Sequence, residues 1–141
     1  MRSNDGEGPL LERKRMNQYT YHTTVLNADG DFRRMIKPSA LFRYVEQAAA
    51  DAFNINVKIC ELMILPTLPP ENYGPSVKDT INYFVFSKSN KTDDQKRALM
   101  KNIYDATIKV TGPLPPRKVV VIIKEHDDVN VGVGDTLKLD M

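Results

Sequence analysis

Thr92-Asp93-Asp94-Gln95-Lys96, running on to Val110-Thr111-Gly112-Pro113, is followed by Val119-Val120-Val121-Ile122-Ile123 and then by Asn130-Val131-Gly132-Val133-Gly134; the pattern of this stretch sets the fold. Thr92 and Gln95 fit a capping box, in which the threonine hydroxyl serves the amide three residues on and the glutamine reaches back. Asp93 and Asp94 lie in the first turn, where the helix dipole favours negative charge. Leu99, Ile103, Ala106 and Val110 recur at helical spacing, widened by Met100 and Tyr104, and Gly112-Pro113 supplies a stop. The run from Val119 to Ile123 is apolar on both faces, as a strand is when a helix covers one side of its sheet and other subunits the other. With Ile81-Asn82-Tyr83-Phe84-Val85-Phe86 before it, the stretch reads as one β-α-β unit with a right-handed parallel crossover. One such unit cannot bury its own sheet, so a homo-oligomer is expected.

Upstream the signals are sparser. Residues 1–15 are polar, charged and without period, and read as a disordered lead-in, with Met16 as an alternative start. Tyr19 to Val25 is rich in β-branched and aromatic residues and is expected to be a strand. Asn27-Ala28-Asp29-Gly30 reads as a turn with Gly30 at positive φ. A helix is expected from Pro38-Ser39, with Ser39 as N-cap and Leu41, Val45, Ala48 and Ala52 as its apolar stripe, Tyr44 on the same side. Leu62 to Pro75 holds Pro66, Pro69, Pro70, Gly74 and Pro75 and reads as a linker or irregular loop. The chain thus divides into a lead-in (1–15), a strand-plus-helix segment (16–65), a proline-rich joint (66–78) and a β-α-β domain (79–141).

Composition narrows the function classes. The chain has 141 residues, 41% hydrophobic and 27% charged, as in an ordinary globular domain. A net charge of +2 gives no footprint for nucleic acid, and the densest basic cluster is only Arg13-Lys14-Arg15. No apolar run nears the ~20 residues that span a bilayer, and the N-terminus lacks a signal-peptide apolar core, so a cytoplasmic protein without membrane contact is expected. Cys60 is the only cysteine, which excludes an intrachain disulfide and reads as a buried small hydrophobe. The two histidines, His22 and His126, offer no metal-ligand spacing.

The second half resembles the tautomerase superfamily, in particular the short subunits of the 4-oxalocrotonate tautomerase type. The matching pieces are Thr80 to Ser87, Thr92 to Leu99, Pro115-Pro116, Val119 to Glu125 and Asn130-Val131-Gly132-Val133-Gly134. The resemblance covers about Asp79 to Leu137 and implies an α/β (α+β) fold, a β-α-β unit in an oligomer of three or six copies. It also implies keto–enol isomerisation of a small unsaturated 2-keto or 2-hydroxy acid, with no cofactor. The family's base is an N-terminal proline at the start of the first strand, where a free amine can hold a pKa near neutrality. Here the strand starts in mid-chain at Asp79-Thr80-Ile81, so the usual base is absent, the isomerase activity is expected to be impaired, and Asp79 is the candidate carboxylate base. Lys91 matches the cation that holds the substrate carboxylate. The family's second arginine falls on or next to Val120, so Arg117 or Lys118 from the preceding loop is the candidate substitute. Val131 takes the place of the aromatic that walls the pocket.

The first half is similar to the opening of hotdog-fold acyl thioesterases, through Asn27-Ala28-Asp29-Gly30 and Ile36-Lys37-Pro38-Ser39 to Ala49. That resemblance implies a strand followed by a helix wrapped by its sheet, with Glu46, or Asp29 in its place, as the acid that activates water at a thioester. Three readings follow: a tautomerase with altered or impaired activity on a small carboxylate-bearing substrate, a non-catalytic oligomerisation or binding module, and an acyl-CoA or acyl-carrier-protein thioesterase.

Overall fold

A computed structural model describes residues 21–66 and 68–141. The lead-in and Tyr19-Thr20 of the first expected strand lie outside the described residues. One four-stranded sheet runs through both halves of the sequence, built from β1 (His22–Ala28), β2 (Cys60–Ile64), β3 (Ile81–Lys88) and β4 (Val119–His126), in the order β2-β1-β3-β4. β1 pairs parallel with β2 and β3 parallel with β4, while β1 and β3 run antiparallel as the central seam. Helix α1 (Pro38–Phe53) makes the crossover in the first half and α2 (Asp93–Thr111) in the second. The two halves are therefore the same β-α-β motif, related by an approximate twofold axis through the seam between Val25-Leu26 and Tyr83-Phe84.

This corrects the hotdog-like reading of the first half. Among the described residues no sheet wraps α1; it packs beside α2 on one face of the four-stranded sheet. The pattern that misled is real, since a strand, a glycine turn and an alanine-rich helix open both arrangements. What separates them is the partner of the strand after the helix. β2 pairs parallel with β1, from His22↔Cys60 to Leu26↔Ile64. Leu62 to Ile64 thus belong to a strand rather than to the irregular joint, which begins at Leu65.

The helices end as elementary chemistry dictates. Thr92 Oγ1 accepts from the Gln95 amide at 3.1 Å, and Gln95 Oε1 accepts from the Thr92 amide at 2.9 Å, closing the capping box. Gly112, at φ +85, ends α2 with its amide on Ile108. α1 differs from expectation at its start, because Pro38 is its first residue, Lys37 stands at the N-cap, and Ser39 lies inside the helix without capping it. Proline suits that first position because the amide it lacks would have no intrahelical partner.

The core lies between the helices and one face of the sheet. Leu41, Val45, Ala49 and Phe53 of α1 and Leu99 and Ile103 of α2 meet Leu26, Leu62, Ile81, Tyr83 and Val85, all buried. Ala48, Ala49 and Ala50 keep the facing surfaces small, which lets α1 lie close to α2 and to the sheet. Tyr44 turns outward instead, its ring flanked by Arg43 and Lys109. The opposite face of the sheet is left open by the described residues and carries Met63, Phe86 and Ile122, each at least 41% exposed. After β4 the chain folds back as a small hairpin, β5 (Gly132–Val133) and β6 (Thr136–Leu137), turning at Gly134 with φ +63.

Candidate active site

The four residues proposed from sequence do not converge in one protomer. Asp79 precedes β3 and Lys91 follows it, so they stand at opposite ends of a strand about 23 Å long at ~3.3 Å per residue. Arg117, exposed before β4, lies at the Asp79 end, because Ile81 pairs with Val119. Val131 lies at the Lys91 end, where Lys88 at the close of β3 pairs with Asp128 at 3.5 Å. The sheet therefore presents two chemically different ends.

At the Asp79 end the carboxylates serve the backbone. Asp79 holds φ +55, uncommon for a residue with a side chain, and its Oδ1 accepts from the Asp31 amide at 3.1 Å. Asp29 answers it from the other chain segment, with Oδ1 accepting from the Thr80 amide at 2.6 Å. The Asp29 amide in turn donates to the Thr80 carbonyl at 3.0 Å. The two aspartates form a reciprocal clamp that ties the turn after β1 to the start of β3. Lys118 completes this end, donating to the Lys78 carbonyl at 3.1 Å. Beside the clamp, an open groove of ≈ 590 Å³ is lined by Asn27, Asp29, Tyr73, Asn82 and Phe84 among others.

Glu46 has a comparable duty. Its Oε2 accepts from the Leu62 amide at 2.8 Å, occupying a backbone donor of β2 at the edge of the sheet. Both acids singled out by the thioesterase resemblance, Glu46 and Asp29, thus bind main-chain amides.

The Lys91 end concentrates the titratable groups. Lys91 Nζ stands 5.1 Å above the ring of Phe53, which is itself buried at the end of α1. It donates to Asn90 Oδ1 at 2.5 Å and to the Lys88 carbonyl at 3.4 Å. Partial burial, with the nearby Lys88 ammonium, lowers its pKa from the ordinary lysine value. His22 meets the edge of the same Phe53 ring at 5.7 Å. Burial first, and then the charges of Lys91 and His126, bring its imidazole down to about 4. Its Nδ1 has no hydrogen-bond partner among the described residues. Cys60, opposite His22 in the β1–β2 pair, is 1% exposed, and burial pushes its thiol up to about 12. It packs as a buried core residue. His22 and Phe53 were not singled out from sequence; only their juxtaposition through the β1–α1 packing brings them to Lys91.

Residues 81–141 match the family described as tautomerase enzyme. The fold of the described chain recurs in solved structures at low identity. A fused 4-OT wild-type asymmetric trimer is 20% identical with a TM-score of 0.65, covering 84% of this chain and 97% of that one. Native fused 4-OT is 18% identical with a TM-score of 0.66, over 84% and 98%. A malonate semialdehyde decarboxylase follows at 16% and 0.58, over 84% and 93%. No curated protein matches the chain. The likeness to that family lies in the second half, residues 81–141. With its first half, the chain has the four-stranded, two-helix fold of the fused 4-OT proteins.

Proposed function

We propose that the chain is a homo-oligomeric tautomerase-superfamily protein for small unsaturated 2-keto or 2-hydroxy acids. It works without a cofactor, and its keto–enol isomerisation is impaired. The observation that carries this reading is the chemistry at the start of β3. Asp79, Thr80 and Ile81 offer only amide nitrogens, and the Asp79 carboxylate is engaged by the Asp31 amide. An amide nitrogen has no basicity for general-base work. Lys91 is the anchor for the substrate carboxylate, with Arg117 and Val131 completing sites between copies. The test is ketonisation of a 2-hydroxydienoate or phenylenolpyruvate, followed by ultraviolet absorbance. We expect slow turnover that Asp79→Asn leaves unchanged, since an amide oxygen can still accept from Asp31. Fast turnover abolished by Asp79→Asn would restore Asp79 as the base and overturn the reading.

A second reading, a non-catalytic oligomerisation or binding module, is favoured by the uncovered sheet face with Met63, Phe86 and Ile122. An exposed apolar surface of this kind marks an interaction site. The trimer named among the similar structures supports three copies meeting through that face. Light scattering on the wild type and on Phe86→Lys decides it: a trimer that dissociates in the variant, with no enol turnover in either, selects the module.

A further inference from the structure

The missing amine at the start of β3 directs attention to the amine just beyond its end. Lys91 is the lysine of this chain placed against a buried aromatic ring at the sheet end where Lys88, His22, Cys60, Glu125 and Lys138 meet. The geometry points to Lys91 as a carbonyl-trapping amine that forms an imine with the ketone of a small 2-keto acid.

Three observations carry this. The first is position: Nζ is half-buried against Phe53 and lies beside the Lys88 carbonyl, so its reach is fixed by the chain on either side. The second is charge. A lysine becomes a nucleophile when it is desolvated or set next to another cation, because either raises the fraction of neutral amine. Lys91 has both, with Lys88 on β3 and Lys138 from the C-terminal turn as the cations, while Glu125 of β4 and Cys60 of β2 oppose them. The Phe53 face also favours the ammonium, yet the net direction is downward. The third is the orphaned Nδ1 of His22, whose imidazole packs against the same ring. A buried ring nitrogen without a protein partner marks a place for a water or a ligand atom.

In the step itself the Nζ lone pair adds to the carbonyl carbon and forms the C–N bond of a carbinolamine. The carbon–oxygen bond then breaks, and oxygen leaves as water with the two hydrogens of the neutral amine. Nothing is oxidised or reduced. Lys88 and Lys138 share one carboxylate, Asp128, at 3.5 and 3.3 Å, which leaves one net positive charge beside Lys91 to favour a carboxylate next to the ketone.

The inference rests on the ligand lying at the Lys91 end, as proposed above, with Lys91 now meeting the ketone in place of the carboxylate, and it is tested without enol turnover. The full chain is incubated at pH 7 with pyruvate and sodium cyanoborohydride, which reduces the imine to a stable secondary amine, and is then mapped by peptide mass. The adduct is expected on Lys91 several-fold faster than on the exposed Lys101, to be lost in Lys91→Arg, and to persist in Lys101→Arg. Acetone in place of pyruvate is expected to label Lys91 more slowly. Labelling spread evenly over exposed lysines, or unchanged overall in a Lys91→Arg variant with wild-type circular dichroism, overturns the inference. Equal labelling by acetone and pyruvate overturns the keto-acid class. Absence of enol turnover with Lys91 labelled would reject only the isomerase reading.

Discussion

Gly30 and Asp79 occupy one space: a Cβ built on Gly30 would overlap Asp79 Oδ1 and lie 3.1 Å from the Asp79 Cα. Gly30 also holds φ +57, a conformation that costs a side-chain-bearing residue about 1–2 kcal/mol. Gly30→Ala therefore displaces Asp79 from the Asp31 amide as well as straining the turn. We expect a loss of about 1–3 kcal/mol in urea unfolding, by strain and loss of that exposed hydrogen bond together. A loss under ~1 kcal/mol would mean that the clamp is dispensable.

The buried pair of Tyr83 and Thr107 gives an asymmetric prediction. Their hydroxyls are 2.7 Å apart, and Thr107 Oγ1 also lies 2.7 Å from the Ile103 carbonyl, to which it donates its only hydrogen. Tyr83 must then be the donor of the pair. Thr107→Val leaves a buried phenol hydrogen unpaired and should cost about 1–3 kcal/mol. Tyr83→Phe leaves Thr107 still donating and should cost less. Chemical denaturation of both variants checks the order; the reverse order would reassign the donor.

Glu46→Ala should cost about 1–3 kcal/mol by baring the Leu62 amide at the sheet edge. Glu46→Gln keeps an acceptor and should recover most of that loss. Hydrogen exchange at Leu62 provides the local readout, with faster exchange in Glu46→Ala.

Protonation of His22 sets an acid limit. Its folded-state pKa of about 4 lies below the ordinary histidine value of 6.5, so the unfolded chain binds more protons between these values. Stability rises with pH across that window and falls as pH drops from about 6.5 towards 4, by at most roughly 3 kcal/mol for this group. The measurement is the unfolding free energy at pH 7 and pH 5 in the wild type and in His22→Leu. The variant should show a shallower decline, and equal slopes would remove His22 as the cause.

The β3–α2–β4 half is legible in the sequence because its signals are local. The capping box at Thr92-Gln95, the stripe of Leu99, Ile103 and Ala106, and the valine run of β4 each declare themselves within a few residues. β2 is not, because Cys60-Glu61-Leu62-Met63-Ile64 has little β-branching and ends in prolines; its pairing with β1 makes it a strand. Lys91 could be singled out by its place before the helix, but not its two aromatic neighbours, which reach it from β1 and α1. Asp79 shows the same limit from the other side. Its partner Asp31 is 48 positions away, so a carboxylate that looks available in the sequence is committed to the backbone in the fold.

The approximate twofold between the halves has a consequence for stoichiometry. A repeated motif would ordinarily offer two equivalent places per chain, yet here one end of the sheet is closed by an aspartate clamp and the other carries Lys91 with His22. However many copies assemble, such unlike ends occur in equal numbers. A titration with a ligand selected by Lys91 should therefore saturate at one equivalent per chain, and half of the inherited symmetry is spent on holding the fold together.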